Sequence, residues 1–163
     1  MINPDEVRVF FRRKHVKEWG GSKSAGYWRD WRYYAIYQCK AIGSITLSLK
    51  LKPGESDDES TRAFWYDLST PLPDPRPIAV FQFTEEEYWG LGVQGILLKK
   101  ANPIVKARFG LPISSSDHFV HSHSTNPKHH PQPAMSVWEK LEEEGYAVRR
   151  YYSGLEKPLW VMK

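Results

Sequence analysis

Residues 78–101, IAVFQFTEEEYWGLGVQGILLKKA, decide how this 163-residue chain is read. Ile78 to Phe83 is an apolar run rich in β-formers, which predicts a buried strand. Past Glu85, Glu86 and Glu87 the period changes. Val93, Ile96, Leu97 and Ala101 fall on one helical face, with Gly90 and Gly92 standing just before it. Strand, glycine turn and helix are therefore expected in that order.

Working towards the C-terminus, Pro103 is incompatible with the interior of an unbroken helix. Asn102 and Pro103 are expected to cap and open a second helical piece ending at Gly110. Ser114 to Ser124 reads as a strand or extended segment. Pro133 opens another helix, with Ala134, Val137, Trp138 and Leu141 on its face and Gly145 as its stop. Tyr146 to Tyr152 and Pro158 to Met162 predict a closing hairpin.

Towards the N-terminus, Val7 to Arg13 predicts a strand and residues 20–26 a glycine-rich loop. Trp31 to Lys40 and Ile42 to Lys52 predict two strands, joined or bent near Ala41 to Gly43. In the second, Ile45, Leu47, Leu49 and Leu51 alternate with polar residues, the pattern of a half-buried antiparallel strand. Pro53 to Ser60 is an acidic turn, Ala63 to Leu68 a short strand, and Thr70 to Pro77 an irregular connector with four prolines. No internal repeat or domain boundary interrupts the chain, so residues 1–163 are expected to form one α/β (α+β) domain.

Composition narrows the class. Hydrophobic residues make up 40%, which argues against global disorder. The single cysteine, Cys39, excludes an internal disulfide and a cysteine-rich zinc site. No apolar run approaches the ~18–20 residues that span a bilayer, and Met1 to Phe10 lacks a signal-peptide core. A cytoplasmic protein is expected. Charge is unevenly spread: residues 1–52 carry eleven Lys and Arg against four Asp and Glu, residues 53–87 two against nine, and residues 88–163 ten against six. The basic first third suggests an anionic partner. There Arg12, Arg13, Lys14, Lys17, Lys23, Arg29 and Arg32 interleave with Trp19, Tyr27, Trp28, Trp31, Tyr33 and Tyr34, a combination that single-strand nucleic-acid binders use. The plainer reading is core aromatics beside solvated arginines.

This order of elements resembles the core of the GNAT-type N-acyltransferase family. That family's phosphate loop, Gln/Arg-x-x-Gly-x-Gly/Ala, is similar to Glu87-Tyr88-Trp89-Gly90-Leu91-Gly92. Its late-helix pattern, Ala-x-x-Leu-Tyr-Glu-Lys-Leu, is similar to Ala134 to Leu141. Ile42-Gly43 before Ser44 to Leu47 resembles its earlier strand pair. Three positions differ: Glu87 replaces Gln or Arg, Trp138 replaces a Tyr that protonates the departing thiolate, and Pro131 replaces an Asn. Over residues 35–163, behind a basic aromatic segment at 1–34, the resemblance implies a central mixed, mostly antiparallel sheet flanked by helices. It also implies acetyl-CoA or another acyl-CoA, with its pyrophosphate on the backbone of Gly90, Leu91, Gly92, Val93, Gln94 and Gly95. Glycines and a helix N-terminus suit that role physically.

Candidate catalytic groups follow from position. Glu85 or Glu86, with Glu87 beside them, ends the strand at the crevice and can serve as general base; an acidic turn capping the helix is the alternative. Ser115 and Ser116 are candidate hydrogen-bond donors, and His121 and His123, two residues apart, candidate acid/base groups. No established zinc spacing accompanies these histidines, so no metal is expected. The leading expectation is transfer of an acyl group from acyl-CoA to an amine on a small molecule, protein or nucleic acid. The alternative is a protein of the same fold that binds or modifies nucleic acid without acetyl-CoA. A phage or mobile-element factor that binds a partner protein is a third reading.

Overall fold

The two strands read from residues 31–52 form the middle of the sheet. A computed structural model describes residues 1–18, 27–51, 77–115, 132–151 and 158–163. Its strands are β1 (Arg8–Glu18), β2 (Tyr27–Tyr37), β3 (Lys40–Leu51), β4 (Ile78–Thr84), β5 (Ser114–Ser115), β6 (Ala147–Arg150) and β7 (Leu159–Met162). Two helices, α1 (Val93–Phe109) and α2 (Gln132–Glu143), complete it. The strands form one seven-stranded sheet in the order β1-β2-β3-β4-β5-β7-β6. Every neighbouring pair is antiparallel except β4 and β5, which run parallel. The architecture is mixed α+β with a mostly antiparallel sheet, as the class expectation had it.

Strands β2 and β3 meet at Gln38 and Cys39, whose φ angles of 46° and 64° make a two-residue hairpin turn. The joint expected near Ala41 to Gly43 thus lies earlier. What occupies that stretch is a bulge. Ala35 pairs with Gly43 and Ile36 with Ala41, leaving Ile42 over. A second bulge leaves Val80 over in β4, between Ala79 opposite Leu47 and Phe81 opposite Thr46. β3 is also more enclosed than its alternation predicts. Ile45 and Leu47 are buried, but so are the small Ser44 and Thr46 on the other face, where the Arg32 side chain of β2 reaches Thr46. β1 runs past its expected end at Arg13 to Glu18, whereas β2 starts earlier than expected, at Tyr27, crosses residue 34 without a break and stops at Tyr37, short of Lys40.

One face of β1–β4 is covered by α1. Trp31, Tyr33, Ala35, Ile45, Leu47 and Ala79 meet Val93, Leu97, Leu98, Ala101 and Val105 in one core. The helix is continuous through Pro103, against the expected break. Pro103 lies on the solvent side, so the Lys99 carbonyl that loses its i+4 donor can turn to water. Asn102 is no cap. Its buried side chain donates from Nδ2 to the Lys163 carbonyl (2.8 Å) and accepts the Ile113 N–H at Oδ1 (3.0 Å). The helix stops at Gly110, whose φ of 74° suits glycine, as expected.

α2 buries Trp138 and Leu141 and stops at Gly145, leading into the β6–β7 hairpin. No helix among the described residues is long and apolar enough to cross a membrane. The loop at 20–26, the acidic turn at 53–60, the short strand at 63–68 and the stretch 116–131 lie outside the described residues.

Candidate functional site

The end of β4 and the start of α1 are joined by a turn that the sheet holds from beneath. The Glu85 N–H donates to the carbonyl of bulged Ile42 (2.9 Å), tying the strand end to β3. Glu86–Tyr88 forms a short 3-10 turn, and the Trp89 indole N–H reaches back to the Thr84 carbonyl (2.8 Å). Gly90 and Gly92 follow, both at φ 77° in the left-handed region, where a Cβ would be strained. Both are exposed, and a Cβ built on either, or on Gly95, meets nothing within 4 Å. The first helical bond runs from Ile96 N–H to Gly92 O (3.1 Å), and no side chain caps this terminus. The amides of Gly92 to Gly95 therefore precede the helix's own ladder and carry its positive end.

Val93 and Gln94 seat this turn with their side chains. Val93 is buried over Gly43, where an added Cβ would lie 2.8 Å from Val93 Cγ1 and 2.9 Å from the Phe83 carbonyl. Gln94 Nε2 donates to the Phe83 carbonyl, to Thr84 Oγ1 (3.0 Å) and to the Ser44 carbonyl (3.3 Å), bridging β3 and β4. Sequence reasoning missed the tie. Gly43 carried a signal, a glycine inside a strand pattern, which marks close approach of another element.

Glu87 is paired with Lys40 at the β2–β3 hairpin, and the Lys40 ammonium also lies 5.6 Å from the Tyr88 ring. The hydrogen bond to Glu87 raises the Lys40 pKa above its ordinary value. The extra negative charge in the loop therefore arrives with its counter-ion. Glu85 is half-buried at the strand end, whereas Glu86 is exposed.

Ser115 is wholly buried, and its Oγ accepts the Trp160 N–H of β7 (2.9 Å). Adjacent Ser114 takes part in the backbone ladder, donating its N–H to Pro77 O (2.7 Å). The structure thus puts Ser115 on the β7 backbone. Ser116, His121 and His123 lie outside the described residues. Trp138 is fully buried in the core, and its indole N–H has no acceptor among the described residues. No group of three His, Cys, Asp or Glu side chains is placed to hold a metal among the described residues. Arg12 and Arg32 face each other across β1 and β2; Arg13 pairs with Trp31 and Arg29 with Val16, while Lys14 falls in the β1 bulge. The side chains of Arg13, Lys14 and Arg29 lie outside the described ones.

No family model matches the sequence, and neither a curated protein nor a solved structure gives a significant match.

Proposed function

We propose that the chain has the GNAT fold and is a divergent N-acyltransferase that moves an acyl group from acyl-CoA to an amine acceptor. One observation carries this reading. Two left-handed glycines bracket Leu91 at the uncapped start of α1, directly after β4, the strand whose neighbour β5 runs parallel. Ligands of sheets with parallel strands gather beyond the strands' carboxyl ends, and a helix N-terminus with glycines suits a phosphate. The parallel pairing of β4 and β5, with the other described pairs antiparallel, also supports the fold proposed.

The residues fit the group they would hold. Backbone amides from Gly92 to Gly95 would take the pyrophosphate, with open space where side chains would otherwise stand. Lys40 offsets Glu87, which answers the family's Gln or Arg at that position. When bound, acyl-CoA supplies an activated thioester carbonyl. In the net reaction a C–N bond forms, the C–S bond breaks, the amine loses a proton and the thiolate gains one. Glu85, anchored at the strand end, is the base we assign to the amine's proton, with Glu86 as the alternative. Buried Trp138 has no acidic proton to give, so it would not protonate the departing sulfur, and that proton would have to come from water or another group. The reading places the enzyme in the cytoplasm, where exposed Cys39 would stay reduced.

The test is thermal. Saturating acetyl-CoA should raise the melting temperature of the wild-type protein, because ligand bound only to the native state stabilises it. Gly92→Asp should abolish the shift while circular dichroism stays native. An unchanged melting temperature in wild type, or a full shift in Gly92→Asp, would remove the coenzyme from this turn. Polyamines, peptides and oligonucleotides with labelled acetyl-CoA then define the acceptor.

A further inference from the structure

Among the described strands β1 lies at the edge of the sheet, and its two side-chain rows face different surroundings. Phe11 belongs to the row that α1 covers. Its ring lies 5.3 Å from Trp31 and 5.2 Å from Tyr33, with the Arg108 guanidinium of α1 4.2 Å above it. The alternate row, Arg8, Phe10 and Arg12, is therefore on the face away from the helix, and all three are exposed. The register sets Ile36, Tyr34 and Arg32 directly opposite them.

Two features of this face are unfavourable for the protein alone. Arg12 stands opposite Arg32, and like charges directly across an antiparallel pair destabilise it. The described ion pairs all lie elsewhere, at Lys40, Lys99, Lys140 and Arg149. Arg32 is held instead by donating from Nε to Thr46 Oγ1 of β3 (3.2 Å), so its guanidinium leans away from Arg12 along the same sheet face. Beside the arginines, Phe10 is 57% exposed, its ring 6.5 Å from that of Tyr34. Edge strands are commonly protected by charge, but an exposed phenylalanine defeats that purpose.

We infer that this face binds single-stranded nucleic acid, with Arg8, Arg12 and Arg32 on phosphates and Phe10, beside Tyr34, stacking on a base. Phosphates relieve the arginine repulsion, and a base covers the exposed ring. An acidic polypeptide would satisfy the cations but leave Phe10 without a flat partner. The site is independent of the glycine turn, which lies at the end of β4, three strands away.

Fluorescence anisotropy with a labelled single-stranded RNA of about 12 nucleotides tests this on the full chain. Wild type should bind, with affinity falling as salt rises. Arg12→Ala should weaken binding and flatten the log–log salt slope by about 0.7. Phe10→Ala should weaken binding about 5- to 100-fold and leave that slope unchanged. Both residues are exposed, so neither variant should melt below wild type, and Arg12→Ala should melt slightly above it because the repulsion with Arg32 is gone. Gly92→Asp should bind RNA normally, which separates this inference from the coenzyme reading. No binding at low salt, or wild-type affinity in both variants, overturns it. Equal competition by polyglutamate, with no effect of Phe10→Ala, would assign the face to an acidic protein instead.

Discussion

Gly43 shows how a single hydrogen in place of a side chain positions the candidate site. A methyl group there would meet the Val93 side chain and, at 2.9 Å, a carbonyl of the neighbouring strand. A side chain can give way, but a sheet carbonyl cannot. Gly43→Ala should therefore destabilise the protein by about 1–3 kcal/mol in urea denaturation, the usual range for overpacking. If the proposed coenzyme site is right, it should also weaken acetyl-CoA binding by pushing the helix start off the sheet. Lys40 offers a contrasting case. Both partners of the Lys40–Glu87 pair are more than half exposed, at 54% and 57%, so Lys40→Met should leave the denaturation midpoint almost unchanged. On the proposed reading it should weaken coenzyme binding, because Glu87 would then face the phosphate alone, whereas Glu87→Gln should strengthen it; calorimetric titration reads both. The folded-state pKa of Lys40 is raised, so the pair's small contribution is full below the unfolded value and fades as pH rises through the folded one. Glu144 behaves in the opposite sense. Its hydrogen bond to Lys99 lowers its pKa, so that contribution is present at neutral pH and lost as pH falls through the folded value. Lys99→Ala should return the Glu144 midpoint, followed by NMR, to the ordinary glutamate range.

At the scale of elements, α1 carries the main departure from the residue patterns. Local preference puts a boundary at Asn102-Pro103, and the helix runs through it. Tertiary contacts outweigh the cost: Ala101, Asn102 and Val105 are buried on either side, and Asn102 is fastened at both ends of its amide. A proline in a helix interior costs about 3 kcal/mol relative to alanine. Pro103→Ala should thus stabilise the protein, by about 1–3 kcal/mol once relaxation around the present proline is allowed for. Asn102→Ala should do the reverse. It strands a buried donor at Ile113 and removes the partner of the part-buried Lys163 carbonyl, a loss of about 1–3 kcal/mol in urea denaturation. Should Asn102→Ala prove neutral, the amide bridge does not hold β5 and the C-terminus together.

Across the whole molecule, the sheet order puts β3 and its neighbours at the centre and β1 and β6 at the edges. Backbone amide exchange should be slowest in β2, β3 and the middle of α1, and faster in β1 and β6. Protection of β1 equal to that of β3 would mean that its outer edge is covered in solution. RNA bound to the side-chain face should not equalise them, since that face leaves the outer backbone edge of β1 untouched.

The sequence alone determined the elements whose signals are local. A continuous apolar run gave β4, a 3.6-residue period gave α2 and α1 as far as Ala101, and Gly110 and Gly145 marked helix ends, because each pattern depends on near neighbours. The glycine turn was legible for the same reason: Gly90 and Gly92 reflect a backbone conformation set within a few residues. Tertiary structure decided everything that depends on pairing at a distance. The bulge at Ile42, the burial of Ser44 and Thr46, the Lys40–Glu87 pair and the arginines facing each other across β1 and β2 all follow from register. Register is fixed by how whole strands bury one face against a helix, and no short window of residues contains that information.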